Sequence, residues 1–264
     1  MPALPFFDSF FDSKKSLPSH PALWRASDLA RVATPGVSSG FAQLDAALPG
    51  QGWPVGALTE LLPAHEGIGE LRVLGPALAH LSAKGERLAW IAPPHLPYAP
   101  ALLAAGIDIA NLVIVRMPER GRDTPERGRD TSRHGRDTSR HAQETLWATE
   151  QALASNACGA VLAWLPEAGF TLLRRLQLAA EAGRAMAILF RHPRMAGEAT
   201  PAVLRIALDT LDGGLALRIL KRRGAPLNQP VLLPALPGYP RHAVDCIASP
   251  ESAARGVLAR RVMV

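Results

Sequence analysis

Short apolar segments alternate with longer amphipathic ones between residues 56 and 190, and this alternation constrains the fold more than any other feature of the chain. Several of the apolar segments, such as Leu112–Val115, contain no polar residue that would mark a solvent-exposed face. Strands that are apolar on both faces and separated by helices are typical of a parallel sheet covered on both sides. The sequence therefore predicts an α/β fold with a mostly parallel sheet flanked by helices.

The alternation predicts five strands and four helices. The strands are expected at 57–62, 87–91, 112–115, 160–165 and 185–190. The helices are expected at 70–83, 97–105, 142–155 and 170–182. Lys84-Gly85 is a typical C-terminal cap for the first helix, and Pro97 suits the first turn of the second.

The pattern changes after residue 200. Over 204–209, the side chains Leu204, Ile206 and Leu208 alternate with Arg205, Ala207 and Asp209. Over 215–220, Leu215, Leu217 and Ile219 alternate with Ala216, Arg218 and Leu220, and Asp212-Gly213-Gly214 lies between the two segments. This arrangement predicts a C-terminal β-hairpin with one solvated face. Prolines cluster after Gly224, so residues 226–264 are expected to form a basic, proline-rich tail.

A period-seven repeat interrupts the chain. The segments ERGRDTP, ERGRDTS and RHGRDTS run from residue 119 to 139 without one apolar residue. Nothing in them can offset the entropy lost on ordering, so we expect a disordered insertion over 117–141. The expected organisation is a flexible N-terminal segment (1–19), one α/β domain (20–225) that contains the insertion, and the tail.

The net charge of +6 is concentrated at the C-terminus. The last fifty residues hold eight arginines and lysines against two acidic residues. Such a region can meet DNA, an acidic protein surface or only solvent. The candidate contacts with a partner or with DNA in this region are Arg218, Lys221, Arg222, Arg223, Arg260 and Arg261.

The chain has no apolar stretch long enough for a membrane span and no recognisable secretory signal. We therefore expect a cytoplasmic protein without membrane contact. The two cysteines, Cys158 and Cys246, are too few for a disulfide framework or a cysteine metal site. Both are expected to be reduced thiols.

The turn between the first strand and the first helix is where P-loop proteins bind phosphate. Here it contains Pro63, Gly67, Ile68, Gly69 and Glu70. No lysine is present, and the carboxylate of Glu70 stands near the position of the magnesium-binding hydroxyl. A carboxylate there repels a triphosphate, although it suits a helix N-terminus. The sequence predicts a degenerate P-loop.

Two further catalytic positions of P-loop ATPases have no matching acidic residue here. The end of the second strand, where a water-activating glutamate would stand, reads IAPPH over 91–95. The end of the fourth, where a magnesium-binding aspartate would stand, reads LAWLPE over 162–167, with no acidic residue before Glu167. We therefore expect no catalytic residue, no cofactor and no metal site. His65 and His95 are placed at the carboxyl edge of the sheet, where ligands of such folds bind.

Several segments resemble the ATPase core of RecA. They are the S-G-x-x-x-L-D-x-x-L pattern over 39–48, residues 107–112 and residues 218–226. A narrower resemblance covers about residues 20–225. Its segments at 20–25, 48–54, 67–71 and 157–165 are similar to those of the ImuA family, also described as SulA-like. The heptad insertion departs from that family's pattern.

The resemblance implies a RecA-like core and a function in damage-induced mutagenic translesion DNA synthesis. The implied partners are ImuB and an error-prone C-family DNA polymerase, with RecA as a further candidate. Trp24, Arg25 and Trp53 are candidate partner contacts, although Trp53 can equally be a core residue. The alternative is a SulA-type division inhibitor that acts on FtsZ. A residual ATPase is the third hypothesis.

Overall fold

A computed structural model describes residues 36–117, 131–211 and 214–234. Eight strands lie in one sheet: β1 (Ala57–Pro63), β2 (Arg87–Ile91), β3 (Leu112–Val115), β4 (Cys158–Trp164), β5 (Met186–Phe190), β6 (Leu204–Leu211), β7 (Gly214–Lys221) and β8 (Val231–Pro234). The α-helices are α1 (Ala42–Ala47), α2 (Glu70–Ala83), α3 (Ala99–Ala104), α4 (Thr131–Ala154) and α5 (Phe170–Ala182). Two 3₁₀ turns occupy Ile109–Asn111 and Pro193–Gly197.

The strand order is β3-β2-β4-β5-β1-β6-β7-β8. The six strands from β3 to β6 are parallel, and β7 and β8 are antiparallel to their neighbours. β1 lies in the middle of the sheet, and β5 separates it from β4. The expectation of a mixed α/β protein with a mostly parallel sheet is confirmed.

A hydrophobic core covers each face of the sheet. On one face, α1 and α2 pack through residues such as Leu44, Leu74 and Leu78. On the other face, α4 and α5 contribute Leu153 and Leu173 among others. Truncating such a fully buried leucine to alanine typically costs about 2–5 kcal/mol. The two cores fix both faces of the sheet and therefore the positions of the loops at its edges.

The structure differs from the sequence prediction in two elements. Helix α4 begins at Thr131, eleven residues before the expected start at 142, so the end of the segment expected to be disordered is helical. The domain also continues past the expected boundary at residue 225, because β8 adds an eighth strand beside β7. The proline-rich composition had suggested a tail from residue 226 onward. The first difference arises because the helix expected at 142–155 extends back into the polar repeat, and the second because prolines are tolerated in an edge strand.

Three predicted features lie outside the described residues. They are the N-terminal segment 1–19, residues 118–130 of the insertion and residues 235–264 of the tail. Among the helices that the structure does describe, none is long and apolar enough to cross a membrane.

Candidate functional site

A cleft of about 600 Å³ opens at the carboxyl edge of the parallel strands. Because β1, β2, β4 and β5 run in the same direction, the loops that follow them meet at this edge. The cleft therefore brings together the three stretches where the sequence placed phosphate-binding and catalytic positions. Its walls include His65, Glu70, Ala92, Trp164, Phe190 and His192.

The loop between β1 and α2 binds its own carboxylate. Gly67 and Gly69 have φ angles of +77° and +106°, which only glycine adopts without strain. The Gly67 N–H donates to Glu70 Oε1 at 3.2 Å, and the Gly69 N–H donates to Glu70 Oε2 at 3.1 Å. The N–H groups of Gly67 and Gly69, which such a turn could offer to a phosphate, are thus hydrogen-bonded to a carboxylate of the same chain.

Glu70 is also the first residue of α2, so its charge lies at the positive end of the helix dipole. An incoming phosphate would have to displace this carboxylate and would be repelled by it. Pro63, Gly67, Ile68, Gly69 and Glu70, which the sequence predicts to form a degenerate P-loop, lie between the end of β1 and the first residue of α2.

Aromatic rings lie at the end of β4. Trp164 stacks on Phe190 with ring centroids 4.5 Å apart and an interplanar angle of 15°. Trp90, which is buried in β2, lies 5.9 Å from Trp164 in a tilted arrangement. Trp164 is half-buried and lines the cleft. An apolar surface thus lies at the end of β4, where the chain has no acidic residue before Glu167.

The residue that follows β2 has an unusual backbone conformation. Ala92 has a φ of 53°, which is unfavourable for a residue with a side chain, and its N–H donates to the Val115 carbonyl at 2.8 Å. In the loop that follows, His95 Nε2 lies 3.5 Å from Glu66 Oε2. Both side chains are exposed, so this pair contributes little to stability. His65 and His95 lie in the loops where the sequence placed them.

A buried ionic network includes Arg191, which also lines the cleft. Glu60, in the middle of β1, is fully buried and accepts hydrogen bonds from Arg191 at 3.3 Å and from Arg205 at 2.9 Å. The Thr200 hydroxyl donates to the other Glu60 oxygen. Arg191 Nη2 also lies 3.5 Å from Glu198. Burying a carboxylate is tolerated here because two guanidinium groups and a hydroxyl satisfy it.

The same network fixes the segment that follows β5. Arg205 donates to the carbonyls of Met195, Ala196 and Glu198 at 2.8, 3.1 and 2.6 Å. Arg191 donates to the Ala168 carbonyl in the loop after β4. Two loops of the cleft are therefore held to the centre of the sheet by buried charges. The local sequence pattern does not indicate these residues, although the acidic Glu60 inside the apolar strand β1 is a signal of a buried ion pair.

The predicted partner contacts fall into different environments. Trp53 is completely buried and belongs to the core, which favours the second of the two interpretations that the sequence left open for it. Arg222 donates to the carbonyls of Ala47 at 2.5 Å and Ala225 at 2.6 Å. Lys221 donates to the Thr200 carbonyl at 2.7 Å, although it remains exposed.

Arg218 and Arg223 are exposed. Trp24, Arg25, Arg260 and Arg261 lie outside the described residues. Within the part of the chain that the structure describes, no group of three or more His, Cys, Asp or Glu side chains is arranged to hold a metal ion.

No protein-family model matches the chain, and a search of curated proteins finds no significant match.

Proposed function

We propose that this chain is a non-catalytic adaptor with a RecA-like core. In this proposal it is a member of the ImuA family and acts in damage-induced mutagenic translesion DNA synthesis. Its partners are ImuB and an error-prone C-family polymerase, with RecA as a further partner. Two lines of evidence support the proposal. One is the sequence resemblance, and the other is the pair of cleft features at Glu70 and at the Trp164–Phe190 stack.

The observation that carries the non-catalytic part of the proposal is the position of the Glu70 carboxylate on the Gly67 and Gly69 amides. Phosphoryl transfer depends on positioned cations and on donors that stabilise the transferred group. Here the donors have an internal acceptor of the same charge as the substrate. The Trp164–Phe190 stack supports the same conclusion, since it offers apolar contact at the end of β4 instead of a metal ligand.

The order of the elements supports the RecA-like part of the proposal. A strand, a glycine-containing turn and a helix occur in the centre of the sheet, with the β2 and β4 ends at the same edge. An adaptor retains such a scaffold because its surfaces remain useful after its nucleotide chemistry is lost. Arg218 and Arg223 are proposed as contacts with an acidic partner surface or with DNA.

A pull-down of the purified protein against ImuB, RecA and FtsZ from the same organism tests the proposal, with ATP hydrolysis measured on the same sample. We expect retention of ImuB or RecA without release of phosphate. Retention of FtsZ alone would favour the division inhibitor, and sustained hydrolysis would favour a residual ATPase. A double charge reversal at Arg218 and Arg223 is the matched variant, because neither side chain is buried.

A further inference from the structure

The charged side chains around the cleft favour a positively charged ligand. Glu66 and Glu70 line the cavity, and Arg191 is the only lysine or arginine among the described residues that line it. The Arg191 side chain is completely buried, and Glu60 and Glu198 neutralise it from 3.3 and 3.5 Å. Among the described residues, no lysine or arginine forms an ion pair with Glu66 or Glu70. Two carboxylates of the lining are therefore left without a cationic partner.

The Glu70 carboxylate can still accept hydrogen bonds from a ligand. Each of its oxygens accepts one N–H, from Gly67 or from Gly69. A carboxylate has about four acceptor sites, so both oxygens can accept a second donor. Glu70 is half-buried, whereas the Glu66 side chain is 70% exposed. One carboxylate thus lies within the cleft and the other at its mouth.

The aromatic wall of the cleft suits a flat cation. Trp164 is half-buried, lines the cavity and stacks on Phe190. Aromatic rings attract cations through the negative charge on their faces, and tryptophan does so most strongly. A guanidinium group is flat, stacks on aromatic rings and binds a carboxylate through two parallel N–H groups. The wall and the carboxylates together favour a guanidinium over an ammonium group.

Other parts of the lining are rigid and leave one donor unused. Proline fixes its own φ angle, and a preformed cavity loses little conformational entropy when a ligand enters. Four prolines line the cleft: Pro63, Pro94, Pro166 and Pro193. Arg191 Nε is a buried donor with no acceptor among the described residues. Buried donors of this kind are rare in folded proteins, and a ligand oxygen is one way to satisfy them.

The attraction for a cation is local to the cleft. The chain carries a net charge of +6, so its overall field repels a positively charged ligand. The exposed position of Glu66 favours an arginine in a protein segment over a small free molecule. A segment that crosses the mouth contacts the carboxylate at the rim, while its side chain reaches the interior.

We propose that the cleft binds the guanidinium group of an arginine side chain from another protein. The guanidinium stacks on Trp164 and pairs with the Glu70 carboxylate, and Glu66 attracts the segment at the mouth. The ligand goes beyond the proposed adaptor function and does not rest on it, because only residues of the cleft define the site.

An NMR titration of the full chain at physiological salt tests the inference. The indole N–H signal of Trp164 is the reporter, and its absence from the Trp164→Phe variant assigns it. The probes are short capped glycine–serine peptides with a central arginine or a central citrulline, which has a similar shape without the charge. We expect the arginine peptide to shift the Trp164 signal with a Kd about tenfold or more below that of the citrulline peptide.

Two glutamine variants test the carboxylates. Glu70→Gln removes the charge within the cleft and is expected to weaken the arginine peptide about tenfold. Glu66→Gln changes an exposed side chain and is expected to weaken it about threefold. Glu181→Gln removes an acid of α5 that does not line the cleft, and it should bind like the wild type. Circular dichroism and thermal melting establish that each variant is folded.

The inference fails if the arginine peptide leaves the Trp164 signal unchanged. It also fails if the arginine and citrulline peptides bind equally, or if both glutamine variants at the cleft retain the wild-type Kd. The amide of N-acetylarginine separates the two sources of a guanidinium group. It is expected to bind more weakly than the peptide, and equal affinity would overturn the assignment to a protein segment.

Discussion

At the scale of single residues, Glu70 has two effects through one carboxylate. It closes the loop before α2 by accepting from Gly67 and Gly69, and it places negative charge at the start of the helix. We expect Glu70→Ala to lower the free energy of unfolding by about 1 kcal/mol in urea denaturation. The matched control is Glu66→Ala, which removes an exposed acid of the same loop. Equal losses in the two variants would contradict the assignment.

The buried carboxylate of Glu60 is predicted to be far more important for stability than a surface acid. Glu60→Ala leaves Arg191 and Arg205 buried without their acceptor, which is expected to cost about 3–5 kcal/mol. Glu150→Ala is the comparison, because it breaks the exposed pair with Arg175 at a cost of about 0–1 kcal/mol. Chemical denaturation of both variants measures the difference. A loss below about 1 kcal/mol for Glu60→Ala would show that the network contributes little to stability.

Asp45 gives a prediction about pH. Burial alone raises its pKa, but hydrogen bonds from Ser38 and Ser39 outweigh that effect and hold the pKa below the ordinary value of 3.8. A folded-state pKa below the unfolded one stabilises the protein above the unfolded pKa, and the stabilisation is lost as the pH falls through the folded pKa. The difference in unfolding free energy between the wild type and Asp45→Asn should be about 1 kcal/mol at pH 7 and should shrink below about pH 4. A difference independent of pH would contradict this account.

At the scale of elements, β8 is a structural part of the domain. Val231 and Leu233 are buried in the core that Leu215 and Leu217 of β7 also join. A chain that ends after residue 225 should lose this packing, expose the edge of β7, and melt at a lower temperature or aggregate. A chain that ends after Pro234 keeps the complete sheet and serves as the control. If the shorter chain melted at the same temperature as the longer one, β8 would contribute nothing to stability.

The central strands and helices could be predicted from the sequence because each one shows its own local pattern of apolar residues. β2, β3, α2 and α5 begin and end where apolar periodicity and capping residues place them. The cleft depends on tertiary contacts that no local pattern encodes. Glu60 meets Arg191 and Arg205 across more than 130 residues, and the pairing of Trp164 with Phe190 requires the register of β4 beside β5. Trp53 was ambiguous for the same reason, since a tryptophan between glycine and proline suits a surface or a core.

At the scale of the whole molecule, the carboxyl edge of the sheet carries a cleft with an internal anion and an aromatic stack. In the proposed function this cleft has lost nucleotide chemistry, and exposed surfaces of the domain bind the partners.

Calorimetric titration of the full chain with ImuB, in the presence and absence of magnesium-ATP, tests the central claim most directly. We predict saturable binding with the same Kd under both conditions and no release of phosphate. Absence of ImuB binding, or binding that requires ATP, would contradict the account of a non-catalytic adaptor.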